Sequence, residues 1–253
     1  MKLKSLVVLT ALASTCSAFA NIGFENDAEL FLVVWNKNVG SYALDLGVSM
    51  NSLLDGSLAP FSMSVGPRYQ TFLTAIGALI NEPVGLDRGT LWAVFAADGE
   101  GLLNNDFRSV ITMVNNVPFN LSTLSANDTR DFTQALSFYA QATANTGSHG
   151  VTGTTSVHGD SYNPLGTEAF FDQRSWTFAN SNNWSGNAIG SVPINLISLS
   201  IPDIFAVVAN SNPTGYSVRF DGQTVTVVPE PATVALILVG LAAVVGAARR
   251  RRA

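Results

Sequence analysis

Residues 29–47 read Glu-Leu-Phe-Leu-Val-Val-Trp-Asn-Lys-Asn-Val-Gly-Ser-Tyr-Ala-Leu-Asp-Leu-Gly. Residues 30–35 are apolar at every position, so both alternating faces of an extended chain shun water. Such a segment is expected as a central strand covered on both sides. Residues 36–40 are rich in turn formers, and residues 41–46 then place Tyr42, Leu44 and Leu46 on one face. The stretch predicts a β-hairpin. It sets the expected fold class: mainly β, with sandwich-like antiparallel sheets and one or two short inserted helices.

Downstream of the hairpin, Tyr69, Phe72, Leu73, Ile76, Leu79 and Ile80 recur at helical spacing and predict an amphipathic helix over residues 68–80. That helix packs on the sheet or binds a partner. Residues 91–97 read as another two-faced apolar strand, and residues 108–114 as its neighbour. Phe132, Leu136, Tyr139 and Ala140 mark a second helical stretch, with Ser125 and Asp128 spaced as a capping box. Residues 145–166 turn to Gly, Ser, Thr and Asn, which predicts a long surface loop or a division between subdomains. Strand-like character follows over residues 168–179, 189–201 and 204–209, interrupted by Pro193 and Pro202. A final hairpin is expected around Asp221-Gly222 as a two-residue turn, with Phe220 facing Gln223, Val218 facing Val225 and Tyr216 facing Val227. No regular repeat is visible, which disfavours a solenoid or propeller.

Both ends of the chain read as targeting segments. Lys2 and Lys4 precede an apolar run over residues 6–13, and Ala18 and Ala20 supply the small residues that a signal peptidase accepts. Residues 1–20 are therefore expected to be cleaved, leaving an exported body over residues 21–227. At the other end, residues 228–253 hold Val-Pro-Glu-Pro, an uncharged apolar run and four arginines. A helix over residues 232–248 would span roughly 25 Å, close to a thin hydrocarbon core. Arg249, Arg250, Arg251 and Arg252 would hold the extreme terminus in the cytoplasm by the positive-inside rule. Pro229 and Pro231 block helix continuation upstream, leaving an extended segment at the membrane surface.

This tail, with Pro229, Glu230 and Pro231 in the signature positions, resembles the PEP-CTERM sorting signal of Gram-negative bacteria. The resemblance covers about the last 25 residues. It implies recognition by an exosortase, a membrane-embedded cysteine enzyme similar to a transpeptidase. It also implies export across the inner membrane, transient anchoring there, and a final place at the cell surface or in a matrix of exopolysaccharide and biofilm. Residues 29–47 also look like the opening of a PEP-CTERM subgroup without assigned activity, a likeness that transfers no functional residue.

Charge is unevenly distributed. The chain has 13 basic and 18 acidic residues and a formal charge of −5. Six of the basic residues (Lys2, Lys4 and the four terminal arginines) lie in the targeting ends, whereas only Glu230 of the acidic ones does. The body from Asn21 to Pro229 thus carries seven basic against seventeen acidic residues, about −10. Nucleic acid is not an expected partner, because phosphate binding needs clustered cations. The one cysteine, Cys16, leaves with the signal peptide, so the mature body has no disulfide, thiolate metal site or cysteine nucleophile.

No compact catalytic motif appears, and no cofactor is expected. His149 and His158, with Asp160 nearby, lie in the polar segment and lack a rigid third ligand or nucleophile. Asp98, Glu100, Asn104, Asn105 and Asp106 offer hard oxygen ligands but do not follow the EF-hand spacing; a solvated turn is the simpler reading, and no metal is expected. Trp176 and Trp184, with Phe178, are the aromatic residues that would stack on sugar rings. Trp176 and Phe178 share one face of a strand, which points instead to core packing.

The leading expectation is a non-enzymatic surface or matrix protein associated with exopolysaccharide, biofilm or aggregation. Its expected partners are signal peptidase, the exosortase, exopolysaccharide and the membrane through the C-terminal helix. The alternative is a secreted polysaccharide hydrolase using two carboxylates as acid and base, a chemistry that leaves no compact motif. A body that serves only as a spacer is the third reading.

Overall fold

The computed structural model describes residues 28–80, 89–98, 107–113, 126–144, 146, 159–167, 170–171, 186–190, 192–201 and 210–230. The chain runs β1 (Glu29–Asn36), β2 (Gly40–Ser49), α1 (Met50–Leu54), β3 (Phe61–Ser64), α2 (Arg68–Ile80), β4 (Thr90–Asp98), β5 (Arg108–Thr112), α3 (Ala126–Ala144), β6 (Asp160–Pro164), β7 (Asn187–Ala188), β8 (Ile194–Ser200), β9 (Asn210–Phe220) and β10 (Thr224–Pro229). The signal segment, residues 145 and 147–158, Trp176, Trp184 and the tail from Pro231 onward lie outside the described residues.

The opening hairpin forms as its pattern dictates. β1 and β2 pair antiparallel from Asn36↔Gly40 to Glu29↔Ser49, and residues 30–36 of β1 are all buried. On its other side β1 pairs with β4, so this all-apolar strand sits inside the sheet with β2 and β4 as neighbours.

Among the described residues the architecture is a single antiparallel sheet of ten strands, and this corrects the sandwich expectation. The order is β3-β10-β9-β8-β5-β4-β1-β2-β6, with β7 on β4. Strands buried on both faces suggested two stacked sheets; here a helix covers each face instead. On the inner face, Tyr69, Phe72 and Ile76 of α2 are buried, and Tyr69 meets Tyr42 of β2 at 4.9 Å and Phe220 of β9 at 6.1 Å between ring centroids. Trp92 of β4 also reaches Phe220, at 6.0 Å. Strands far apart in the sheet thus meet across its inner face, so the sheet is strongly curled around α2, a consequence of accumulated strand twist.

On the outer face α3 packs over the β1–β4–β5 region. Tyr139 lies 6.0 Å from both Phe31 and Phe95, and Phe171 fills the gap beside Trp35 at 4.7 Å. A row of buried hydroxyl residues on α3, Thr129, Thr133 and Ser137, lets the helix approach closely. Thr133 bonds Ser109 and Ser137 donates to the Ala97 carbonyl, both at 3.3 Å. Where α3 does not reach, the outer face is polar: Ser62 and Thr226 share a hydrogen bond at 3.0 Å, and Arg219 is exposed.

The helix expected over residues 68–80 is α2, seated on the sheet, and the second helical stretch lies within α3. Of the capping pair, Ser125 and the Asp128 side chain lie outside the described residues. The polar segment over residues 145–166 ends differently from a loop: residues 160–164 form the edge strand β6 against β2. The last hairpin forms with its register moved by two residues, pairing Phe220 with Val225, Val218 with Val227 and Tyr216 with Pro229. The reason is Asp221, whose Oδ1 accepts from the backbone N–H groups of Gln223 (2.9 Å) and Thr224 (2.8 Å) and so holds a wider turn. A shift of two leaves the same side chains facing inward.

Candidate functional site

Three places combine chemistry with unusual geometry. The first is the junction of β10 with the tail. Pro229 is the last residue of β10, opposite Tyr216, and the Glu230 N–H donates to the Gly215 carbonyl at 2.7 Å. Gly215 has φ +77°, a left-handed conformation that suits glycine. Glu230 is half-buried, and its Oε1 is buried with no hydrogen-bond partner among the described residues. The Pro-Glu-Pro segment therefore starts inside the sheet.

The second is the link between β3 and α2, which ties one edge of the curled sheet to the other. β3 pairs with β10, and Val65 continues this with a bond to the Gln223 carbonyl at 2.9 Å. Immediately after it, the Gly66 N–H donates to the Tyr42 hydroxyl at 2.7 Å. The carboxylate of Asp160, on edge strand β6, accepts from the Arg68 N–H (2.8 Å) and from its guanidinium (3.0 Å). A side chain at position 66 would run into that carboxylate, so glycine is required there. Burial pushes the Tyr42 hydroxyl far above the usual phenol range and keeps it neutral.

Against this link lies a cleft of about 730 Å³ lined by residues of the β3–α2 connection and of the β9–β10 turn. Val65, Pro67 and Leu73 supply apolar lining, while Ser64, Gln70, Asp221 and Gln223 supply hydroxyl, amide and carboxylate groups. The side chains of Gln70 and Gln223 are exposed, and neither makes a hydrogen bond among the described residues. Tyr69 also lines the cleft; its hydroxyl is buried without a partner among the described residues, and burial together with the nearby Asp221 carboxylate pushes its pKa up. The volume falls in the range of small-molecule sites.

The third is Asp45 on β2, almost wholly buried on the outer face. Its Oδ1 accepts from the Gly47 N–H at 2.7 Å, while its own N–H donates to the Gly159 carbonyl at 2.9 Å. Burial, reinforced by the Glu29 carboxylate, pushes its pKa up to about 7.

The residues singled out from sequence fare unevenly. Pro229 and Glu230 stand at the junction. Ala18, Ala20, Pro231, Arg249, Arg250, Arg251 and Arg252 lie outside the described residues, as do Trp176, Trp184, His149 and His158. Asp98 is paired with Arg108 at 2.9 Å, tying β4 to β5, and Asp160 with Arg68, tying β6 to α2. Among the described residues no group of three metal-binding side chains occurs, and no helix is long and apolar enough to cross a membrane. Sequence reasoning missed the cleft, because its polar groups come from segments about 150 residues apart. It also missed Asp45, whose burial depends on its neighbours in space.

Compared with known families, residues 227–252 match the PEP-CTERM protein-sorting motif. No curated protein and no solved structure matches the chain. The matched segment begins on β10 and runs through Pro229, Glu230, Pro231 and the basic end, and this motif implies processing by an exosortase. The chain is therefore a PEP-CTERM domain-containing protein, exported and addressed to an exosortase by its C-terminal segment.

Proposed function

We propose that the protein is a non-enzymatic surface or matrix component that associates with exopolysaccharide, with its body as the binding part and its tail as the address. The observation that carries this reading is the sorting motif at residues 227–252, joined to an acidic, charge-poor β body. The cleft between the β3–α2 link and the β9–β10 turn supports it. Its exposed amides and the Asp221 carboxylate suit the vicinal hydroxyls of a neutral sugar, and its apolar lining suits the C–H face of the ring. After processing, the body reaches the cell surface or extracellular matrix.

Intact mass and fractionation of the protein from its producer, beside a variant with Pro229, Glu230 and Pro231 replaced by alanine, test the address. The wild type is expected outside the inner membrane without its tail, and the variant full length in the membrane. Sedimentation with the producer's purified exopolysaccharide then tests the body. Retention that falls about tenfold in Gln70→Ala/Gln223→Ala is expected; equal retention of both proteins would move binding elsewhere, and no retention would end this reading.

One observation favours the hydrolase reading. Asp45, with a pKa near 7 beside Glu29, has the raised pKa that a general acid needs. It is buried to 1% exposure, however, and it is not among the residues that line the cleft. Release of reducing ends from the polymer, abolished in Asp45→Asn, is the result that would favour it.

A further inference from the structure

Within Pro229-Glu230-Pro231 only Glu230 has a backbone N–H, since proline has none. That single donor is engaged with the Gly215 carbonyl at 2.7 Å. In an antiparallel ladder successive residues turn their backbone groups to alternate edges, so Pro229 faces away from β9. On that side β3 is already absent, because its pairing with β10 ends at Val227↔Phe61. Among the described residues, the edge at Pro229 thus presents a carbonyl and no donor. A partner approaching there as an added strand would lack half of the usual main-chain bonds.

The one charged group of the motif is partly withdrawn from water. The Glu230 Oε1 is buried and without a partner among the described residues, which costs free energy that is recovered when the side chain reaches water or a cation. Opening the end of the strand is a small event: among the described residues, the ladder beyond Val228↔Ser217 consists of Pro229↔Tyr216 and the Glu230–Gly215 bond. Strand ends of this kind open locally without unfolding the core.

We infer that the exosortase takes the motif by strand exchange: the end of β10 leaves β9, and the enzyme's own extended-chain contacts replace those that Gly215 made to Glu230. The folded body therefore competes with the enzyme for the motif and sets the rate at which it is read. This inference rests on exosortase processing of the tail and adds the surface that the enzyme must displace.

Pulse–chase processing of the full chain in its producer tests it with two variants that leave Pro229, Glu230 and Pro231 intact. Gly215→Ala keeps every length and meets no neighbouring atom, but its φ of +77° disfavours any side chain, so the Glu230 contact weakens. The other variant inserts Gly-Ser-Gly-Ser between Val228 and Pro229, which frees the motif from the sheet entirely. Both are expected to lose the tail faster than wild type, roughly five- to tenfold for Gly215→Ala. Acceleration by the insertion alone would assign the effect to distance from the body and overturn strand exchange. Equal or slower processing of both variants would overturn it too. A wild-type chain that is never processed would instead remove the exosortase reading itself.

Discussion

Asp45 shows how much one side chain can set conditions for the whole. Burial and the Glu29 carboxylate lift it from 3.8 to about 7, so the folded chain keeps a proton that the unfolded chain releases between those values. The contribution to stability is full below about pH 4 and declines as pH rises to about 7. Beyond that it levels off, lower by up to roughly 4 kcal/mol. Asp45→Asn retains an Oδ1 for the Gly47 N–H and removes the charge. It is expected to raise the urea midpoint at pH 8 by an amount worth a few kcal/mol and to flatten the dependence between pH 4 and 7; a variant no more stable than wild type at pH 8 would show that the carboxylate is compensated. Nothing in residues 41–47 announces this, because Asp45 occupies an ordinary alternating position and only the folded neighbourhood removes it from water.

Among the elements, the β3–α2 link carries more than its length suggests. Asp160→Ala would leave the Arg68 N–H without its acceptor and remove the ion pair, at an expected cost of about 2–3 kcal/mol in chemical unfolding. Amide exchange should then rise at Gly66 and Arg68 before the centre of β1. Gly66→Ala drives a methyl group into the same carboxylate and should cost about 1–3 kcal/mol. Asp221→Ala should narrow or loosen the last turn, costing at most about 1 kcal/mol, and backbone shifts in nuclear magnetic resonance spectra would be confined to residues 220–225. The long periodic elements were legible: residues 30–35, 68–80 and 91–97 carry enough apolar side chains at fixed spacing to name both type and place. The strand β6 was not, because Asp-Ser-Tyr-Asn-Pro has few apolar residues and is held by β2, Arg68 and α2. The turn at Asp221 was read two residues too tight, because the carboxylate bonds that widen it do not alter the alternation.

For the whole molecule, apolar runs on both faces of β1 and β4 announced double coverage but not its agent. A second sheet and a pair of helices satisfy the same demand, and the choice was made by residues whose pairing spans the chain. Trp92 is a test of the curl: its ring meets Phe220 and its indole N–H donates to the Ala188 carbonyl at 2.9 Å. Trp92→Ala is expected to cost about 3–5 kcal/mol, and proteolysis should then cut first near the β9–β10 pair. Of the candidate sites, the tail was readable because a sorting address must be recognised as a linear sequence. The cleft was hidden because it exists only once the two ends of the sheet approach each other.

The bond from Glu230 to Gly215 also fixes how far the body would stand from lipid if residues 232–248 enter a bilayer. Only Pro231 separates Glu230 from the apolar run that opens at Ala232, and two residues in any conformation reach at most about 7 Å. With that run in a membrane, as the sorting reading expects, so short a leash would keep the body from lifting clear of the headgroups. The end of the sheet beside the leash includes Ala59, Pro60, Pro213 and Gly215, all exposed and uncharged. Tethered so closely, an acidic body would present its uncharged end to the surface.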